Sequence, residues 1–179
     1  MDFERYRELL DRPDWQTSGH FAAPEIAQWV QHQGSLTQKL QQACQQLSVE
    51  VIHQGWQQLS VEVIHQGWQE NSTAKISLKS TALNKTWLRE VLLKGDGTPW
   101  IFAQTTLPET TVQNVAQYVL QLGEQPIGLW LFKQPMQRVS LYWRQDPETG
   151  LYARYSDFDL KGYPLQIKEL FLAEFPFPA

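Results

Sequence analysis

A single cysteine, Cys44, in 179 residues excludes any internal disulfide and fits a reducing compartment. No apolar run approaches the roughly 20 residues needed to span a bilayer, so stable membrane insertion is not expected. The start, Met1 to Arg7, is charged through its first turn and carries neither an apolar stretch nor a small-residue cleavage pattern. No secretory signal is read there, and the expected location is the cytoplasm. There is no long basic run and the formal net charge is -4, which argues against a nucleic-acid surface. Arg138, Arg144 and Arg154 lie scattered along strand-like stretches.

What the chain does have is 42% hydrophobic and 12% aromatic residues, enough for one domain over residues 1–179 with a substantial core. It also has a perfect tandem copy: residues 45–56 read QQLSVEVIHQGW, and residues 57–68 repeat them without a mismatch. Diverged repeat architectures have longer periods and drifted copies, so this is a slippage event or an engineered one. Each copy has a strand pattern, Val49 to His53 or Val61 to His65, and two identical strands compete for one slot. One copy within 45–68 is surplus, and the even shift leaves the register open. The spare copy could loop out, add an edge strand or drive domain swapping of an otherwise monomeric chain. His53 and His65 are a doubled residue and no metal pair, because no acidic or cysteine partner lies at ligand spacing.

Pro24 before Glu25, Ile26, Trp29 and Val30 predicts a helix, and a second runs from Leu36 to Cys44 with Ser35 as its cap. Strands are expected near Lys75 to Ser80, and over Trp87 to Leu93 turning through Gly95-Asp96-Gly97 into Trp100 to Thr106. Val112, Val115, Val119 and Leu122 keep helical spacing, with Gly123 as the C-terminal cap of a helix of about three turns. Strands over Arg138–Gln145, Tyr152–Leu160 and Pro164–Phe171 complete an α+β pattern with an antiparallel sheet.

Two of these strands carry charges among apolar residues. A period of two puts Trp87, Arg89, Val91 and Leu93 on one face and Leu88, Glu90 and Leu92 on the other. The plainest pattern is one inward apolar row and one solvated charge; whichever of Arg89 and Glu90 faces inward must meet a partner or a ligand. In the last strand Leu165, Ile167, Glu169 and Phe171 share a face, so Glu169 rides with the core. An inward Arg89 and an inward Glu169 form either a buried ion pair or the two polar ends of an apolar ligand cavity.

Four segments in order carry a family resemblance: Trp87 to Leu93, Asp96-Gly97-Thr98-Pro99-Trp100, Leu122-Gly123 with Pro126-Ile127-Gly128, and Glu169-Leu170-Phe171-Leu172. Over most of its length the chain resembles the bacterial chorismate pyruvate-lyase family. The resemblance implies one antiparallel sheet with flanking helices and a ligand cavity enclosed beneath helical flaps. It also implies a reaction that needs no cofactor or metal, turning chorismate into 4-hydroxybenzoate and pyruvate at the head of ubiquinone synthesis. The family's carboxylate-binding arginine falls on Arg89, and its acidic residue that meets the ring oxygen of the product falls on Glu169. A main-chain contact falls on Ile127, in place of leucine, and another falls on Leu36, in place of methionine. Gln104 stands where the family carries an arginine, which removes a positive charge expected near the cavity.

On this footing the protein holds a dianion in reactive geometry, with aromatisation of the ring as the driving force. Arg89 is expected to grip the ring carboxylate. Glu169, among apolar neighbours, is expected to bind the ether oxygen or handle a proton. The competing class is a non-catalytic, effector-sensing domain of the same fold; such domains come fused to a DNA-binding helix-turn-helix, and no basic segment of that kind precedes residue 20.

Overall fold

The computed structural model describes residues 1–21, 23–58 and 85–178. Six strands, β1 (Leu47–Gln58), β2 (Lys85–Gly95), β3 (Thr98–Pro108), β4 (Met136–Gln145), β5 (Tyr152–Leu160) and β6 (Tyr163–Phe171), form one antiparallel sheet in the order β1-β2-β3-β6-β5-β4. The first repeat copy fills β1. Residues 59–68 of the second copy and the strand expected near Lys75 to Ser80 lie outside the described residues.

Helix α1 (Phe3–Leu10) covers one face of the sheet, packing Leu9 and Leu10 on Leu92, Phe102, Ala153 and Leu170. The other face is covered twice. Helices α2 (Pro24–Val30) and α3 (Leu36–Ala43) bring Trp29, Val30, Leu36 and Leu40 onto Val91, Leu93 and Ile101. Helix α4 (Glu109–Val115), a 3-10 turn (Gln117–Gln121) and α5 (Ile127–Leu131) bring Val112, Ala116, Val119 and Leu131 onto Leu107, Phe158, Leu165 and Ile167. Pro24 opens α2, and the Ser35 hydroxyl caps α3 by accepting from the Gln38 amide at 3.3 Å.

Two expectations are corrected here. With both faces covered, both rows of β2 are buried, and Arg89 and Glu90 are each 1% exposed. Neither charge is the solvated one. Glu90 is satisfied on the α1 face, where Arg7 grips it with Nε and Nη2 and Gln104 Nε2 donates to it at 2.8 Å. Gln104 therefore faces away from Arg89, and the charge that it replaces would meet Glu90, not the cavity. The second correction concerns Val112 to Leu122. The α-helix stops at Ala116, where φ is -134°, and the chain goes on as a 3-10 turn. Beyond Val112 the buried residues are Ala116, Val119 and Leu122, and their spacing of three matches the 3-10 period.

Arg144, one of the scattered arginines, is structural. It reaches Asp14, Asp146 and the Leu9 carbonyl, tying the segment after α1 to the β4–β5 hairpin. Burial would raise the Asp146 carboxyl, but the Thr149 hydroxyl and amide and the Arg144 guanidinium outweigh it and hold the carboxyl at about 2, against an ordinary 3.8. A carboxyl depressed on folding stabilises above its unfolded pKa and loses that contribution as pH falls through the folded one. The parent's advantage over Asp146→Asn in urea denaturation is thus expected to be about 2 kcal/mol above about pH 4 and to vanish near pH 2. A difference that stays constant with pH would contradict this.

Candidate active site

Arg89 points from β2 into a cavity between the sheet and the helices, whose lining includes Leu36, Ile127 and Glu169. The four residues expected to share a site all line this one cavity. The sheet register explains part of this: Arg89 lies opposite Thr105, which lies opposite Ile167, two residues before Glu169 on the same face. A bulge in β1 between Val51 and His53 shifts the alternation so that Gln54 lies opposite Arg89.

Every partner of Arg89 among the described residues is neutral. Nη1 donates to Gln54 Oε1 at 2.8 Å, and Nη2 donates to the carbonyls of Gly123 and Gln125 at 2.8 and 3.0 Å. Gly123 has φ +57°, a turn that a side chain would strain, and this turn ends the 3-10 segment beside Arg89. No carboxylate within the described residues pairs with Arg89, and burial pushes its guanidinium below the ordinary arginine value. A buried cation held only by dipoles leaves part of its donor fork for an anion.

Leu36 and Ile127 are the first residues of α3 and α5. Amides in the first turn of a helix have no partner inside it. The two helix starts meet closely: a Cβ on Gly128 would lie 2.4 Å from Thr37 Oγ1, so only glycine permits this approach. The loop carbonyls that hold Arg89 come directly before Pro126 and Ile127, which sets the α5 start beside the guanidinium.

Glu169 does not pair with Arg89, and its surroundings are not purely apolar. Arg154 on β5, directly opposite in the sheet, donates Nε to Glu169 Oε2 at 2.5 Å. Along the sequence Arg138 and Arg154 lie scattered; the fold brings both to this cavity. Both donate Nη1 to the His32 carbonyl, at 2.8 and 2.9 Å, and Arg138 also donates to the Gln33 carbonyl. The Arg138 guanidinium lies 4.9 Å from the Phe158 ring centroid. Burial, then the charge of Arg154, push Arg138 down to about 10. The alternation of Arg154, Ser156 and Phe158 along β5 was a usable signal, but which residue lies opposite Glu169 depends on strand order.

The charged residues of the lining are three guanidiniums and one carboxylate, so the cavity carries a net charge of two positive among otherwise uncharged residues. Such a site suits a small dianion with an apolar ring. Among the described residues no three His, Cys, Asp or Glu side chains gather at metal-binding distance, and no helix is long and apolar enough to cross a membrane.

A family model described as chorismate lyase matches residues 9–177. A chorismate pyruvate-lyase of Pectobacterium carotovorum is 32% identical over 169 residues, covering 94% of this chain and 89% of that protein. A probable chorismate pyruvate-lyase of Vibrio vulnificus is 31% identical, covering 96% and 92%. In structure, a Staphylococcus aureus gene product superposes with a TM-score of 0.50 at 10% identity over 84% of this chain and 97% of that one. The ligand-binding domain of a GntR-family transcriptional regulator from Bordetella bronchiseptica gives 0.45 at 16% identity, covering 73% and 86%.

Proposed function

The chain belongs to the chorismate lyase family, and we propose that it cleaves chorismate to 4-hydroxybenzoate and pyruvate in the Arg89–Glu169 cavity, as a single chain acting in the cytoplasm. The reaction breaks the ether bond between ring and enolpyruvyl group. The neighbouring hydroxyl-bearing ring carbon loses its proton, and the electron pair of that C–H bond completes the aromatic ring. The released enolpyruvate takes up a proton to become pyruvate, so atoms and charge balance. No electron acceptor is required, and the chemistry is met by positioning and electrostatics.

One observation carries the assignment of roles: Arg89 is a fully buried guanidinium with neutral partners only, among the described residues. It takes the ring carboxylate, assisted by the first-turn amides at Leu36 and Ile127. The para oxygen then points toward Glu169. Held by Arg154, this carboxylate is set as an acceptor, and it accepts a hydrogen bond from the para hydroxyl or takes the proton that the carbon bearing that hydroxyl gives up. A single unpaired thiol, Cys44, suits the cytoplasm.

Glu169→Gln separates these roles. Followed by ultraviolet absorbance of 4-hydroxybenzoate, its kcat on chorismate is expected to fall about a hundredfold or more. Full turnover in that variant would exclude proton handling by Glu169. No product from the parent protein would instead favour a binding domain over an enzyme.

A further inference from the structure

We infer that Arg138 is the docking point for the second carboxylate of the substrate, the one on the enolpyruvyl group, and that it holds this group as it leaves. The inference rests on the reading that Arg89 takes the ring carboxylate.

A dianion brings two carboxylates into a site with three guanidiniums. Arg154 is already matched to Glu169. Arg89 and Arg138 are the two cations of the lining that no described carboxylate pairs with. They stand at different ends. Arg89 projects from β2 beside the α5 start, whereas Arg138 projects from β4, opposite Phe158, and shares the His32 carbonyl with Arg154. Arg138 thus belongs to the Glu169 end. With the ring carboxylate on Arg89, the ether carbon is next to the ring carbon that faces Glu169, so the enolpyruvyl group falls on the Arg138 side.

The local bonding of Arg138 supports a receiving role. Its Nη1 is spent on two backbone carbonyls, which fix the plane of the guanidinium against Phe158. Its Nε is buried and has no hydrogen-bond partner among the described residues. Buried donors in a folded protein are rarely left unpaired, and an unpaired one at a cavity wall is an acceptor's place. When the ether bond breaks, negative charge grows on the enolpyruvate oxygen next to that carboxylate. A guanidinium fixed before the reaction stabilises this charge more than the ground state.

The test uses the fact that 4-hydroxybenzoate keeps only the ring carboxylate. Arg138→Met, Arg138→Lys and Arg89→Met are compared by calorimetric titration with 4-hydroxybenzoate and by steady-state turnover of chorismate. Arg138→Met is expected to bind 4-hydroxybenzoate within about twofold of the parent, while kcat/KM for chorismate falls about a hundredfold; Arg138→Lys should regain about tenfold of that loss. Unchanged kcat/KM in Arg138→Met would overturn the inference, and so would a loss of product affinity as large as the loss of turnover. If Arg89→Met keeps product affinity and Arg138→Met loses it, the ligand lies the other way round and the underlying reading fails instead.

Discussion

Replacing Arg89 by methionine is expected to weaken 4-hydroxybenzoate binding by at least about a hundredfold while leaving the unliganded fold nearly as stable as the parent. The two effects separate because Arg89 stands in the core as a cation without a counter-charge. A charge-assisted bond is worth about 1.5–3 kcal/mol, and losing a two-pronged grip on a carboxylate removes about 3 kcal/mol of binding. For the fold, the loss of bonds to Gln54, Gly123 and Gln125 is offset by no longer burying a guanidinium. Thermal melts should show a midpoint within a few degrees of the parent's, and added 4-hydroxybenzoate should no longer raise it. Parent-like affinity in this variant would place the carboxylate elsewhere. A collapse of the unliganded fold would mean that the loop around Gly123 depends on Arg89 for more than its ligand.

Arg154→Met should behave in the opposite way, destabilising the fold by about 3–5 kcal/mol in urea denaturation. The pair joins β5 to β6 in the middle of the buried face, with Arg154 2% exposed and Glu169 8% exposed. Removing the guanidinium leaves a carboxylate in the core, and it also frees the His32 carbonyl from one of its two donors. The double variant Arg154→Met, Glu169→Gln should recover most of the stability, because a neutral amide costs far less to bury, yet it should remain without turnover. If the single variant lost less than about 1 kcal/mol, the pair would not be the counterweight that offsets the burial of the Glu169 carboxylate.

The two arginines illustrate a division within one cavity. Arg154 is balanced inside the protein by Glu169, whereas Arg89 has only neutral partners among the described residues and, on the proposed reading, takes its counter-ion from solution. Stability favours balancing every charge, which is why the unbalanced arginine is the one proposed to bind the ligand.

Much of this fold was readable along the chain. The β2–β3 hairpin, the capped start of α3 at Ser35, the proline start of α2 and the last three strands follow from local rules of alternation, capping and turn residues. Helix α1, by contrast, was not read, because the charged first turn hides the two leucines, Leu9 and Leu10, that bury its face. Its presence changed the meaning of β2: with a helix on the second face, Glu90 is a core residue and Gln104 is its donor.

The sequence by itself determined the family and the reaction, through short motifs in order along the chain, and from that resemblance came the expectation that Leu36, Arg89, Ile127 and Glu169 line one cavity, as they do. Only the tertiary structure decided which charges meet. Arg154 faces Glu169 because β5 lies beside β6, Arg138 joins them because β4 forms the sheet edge, and Arg89 is left without a carboxylate because its strand lies on the far side of β3. Pairing across a sheet depends on strand order and register, which are set by the packing of distant segments and leave no mark in the local pattern of any one strand.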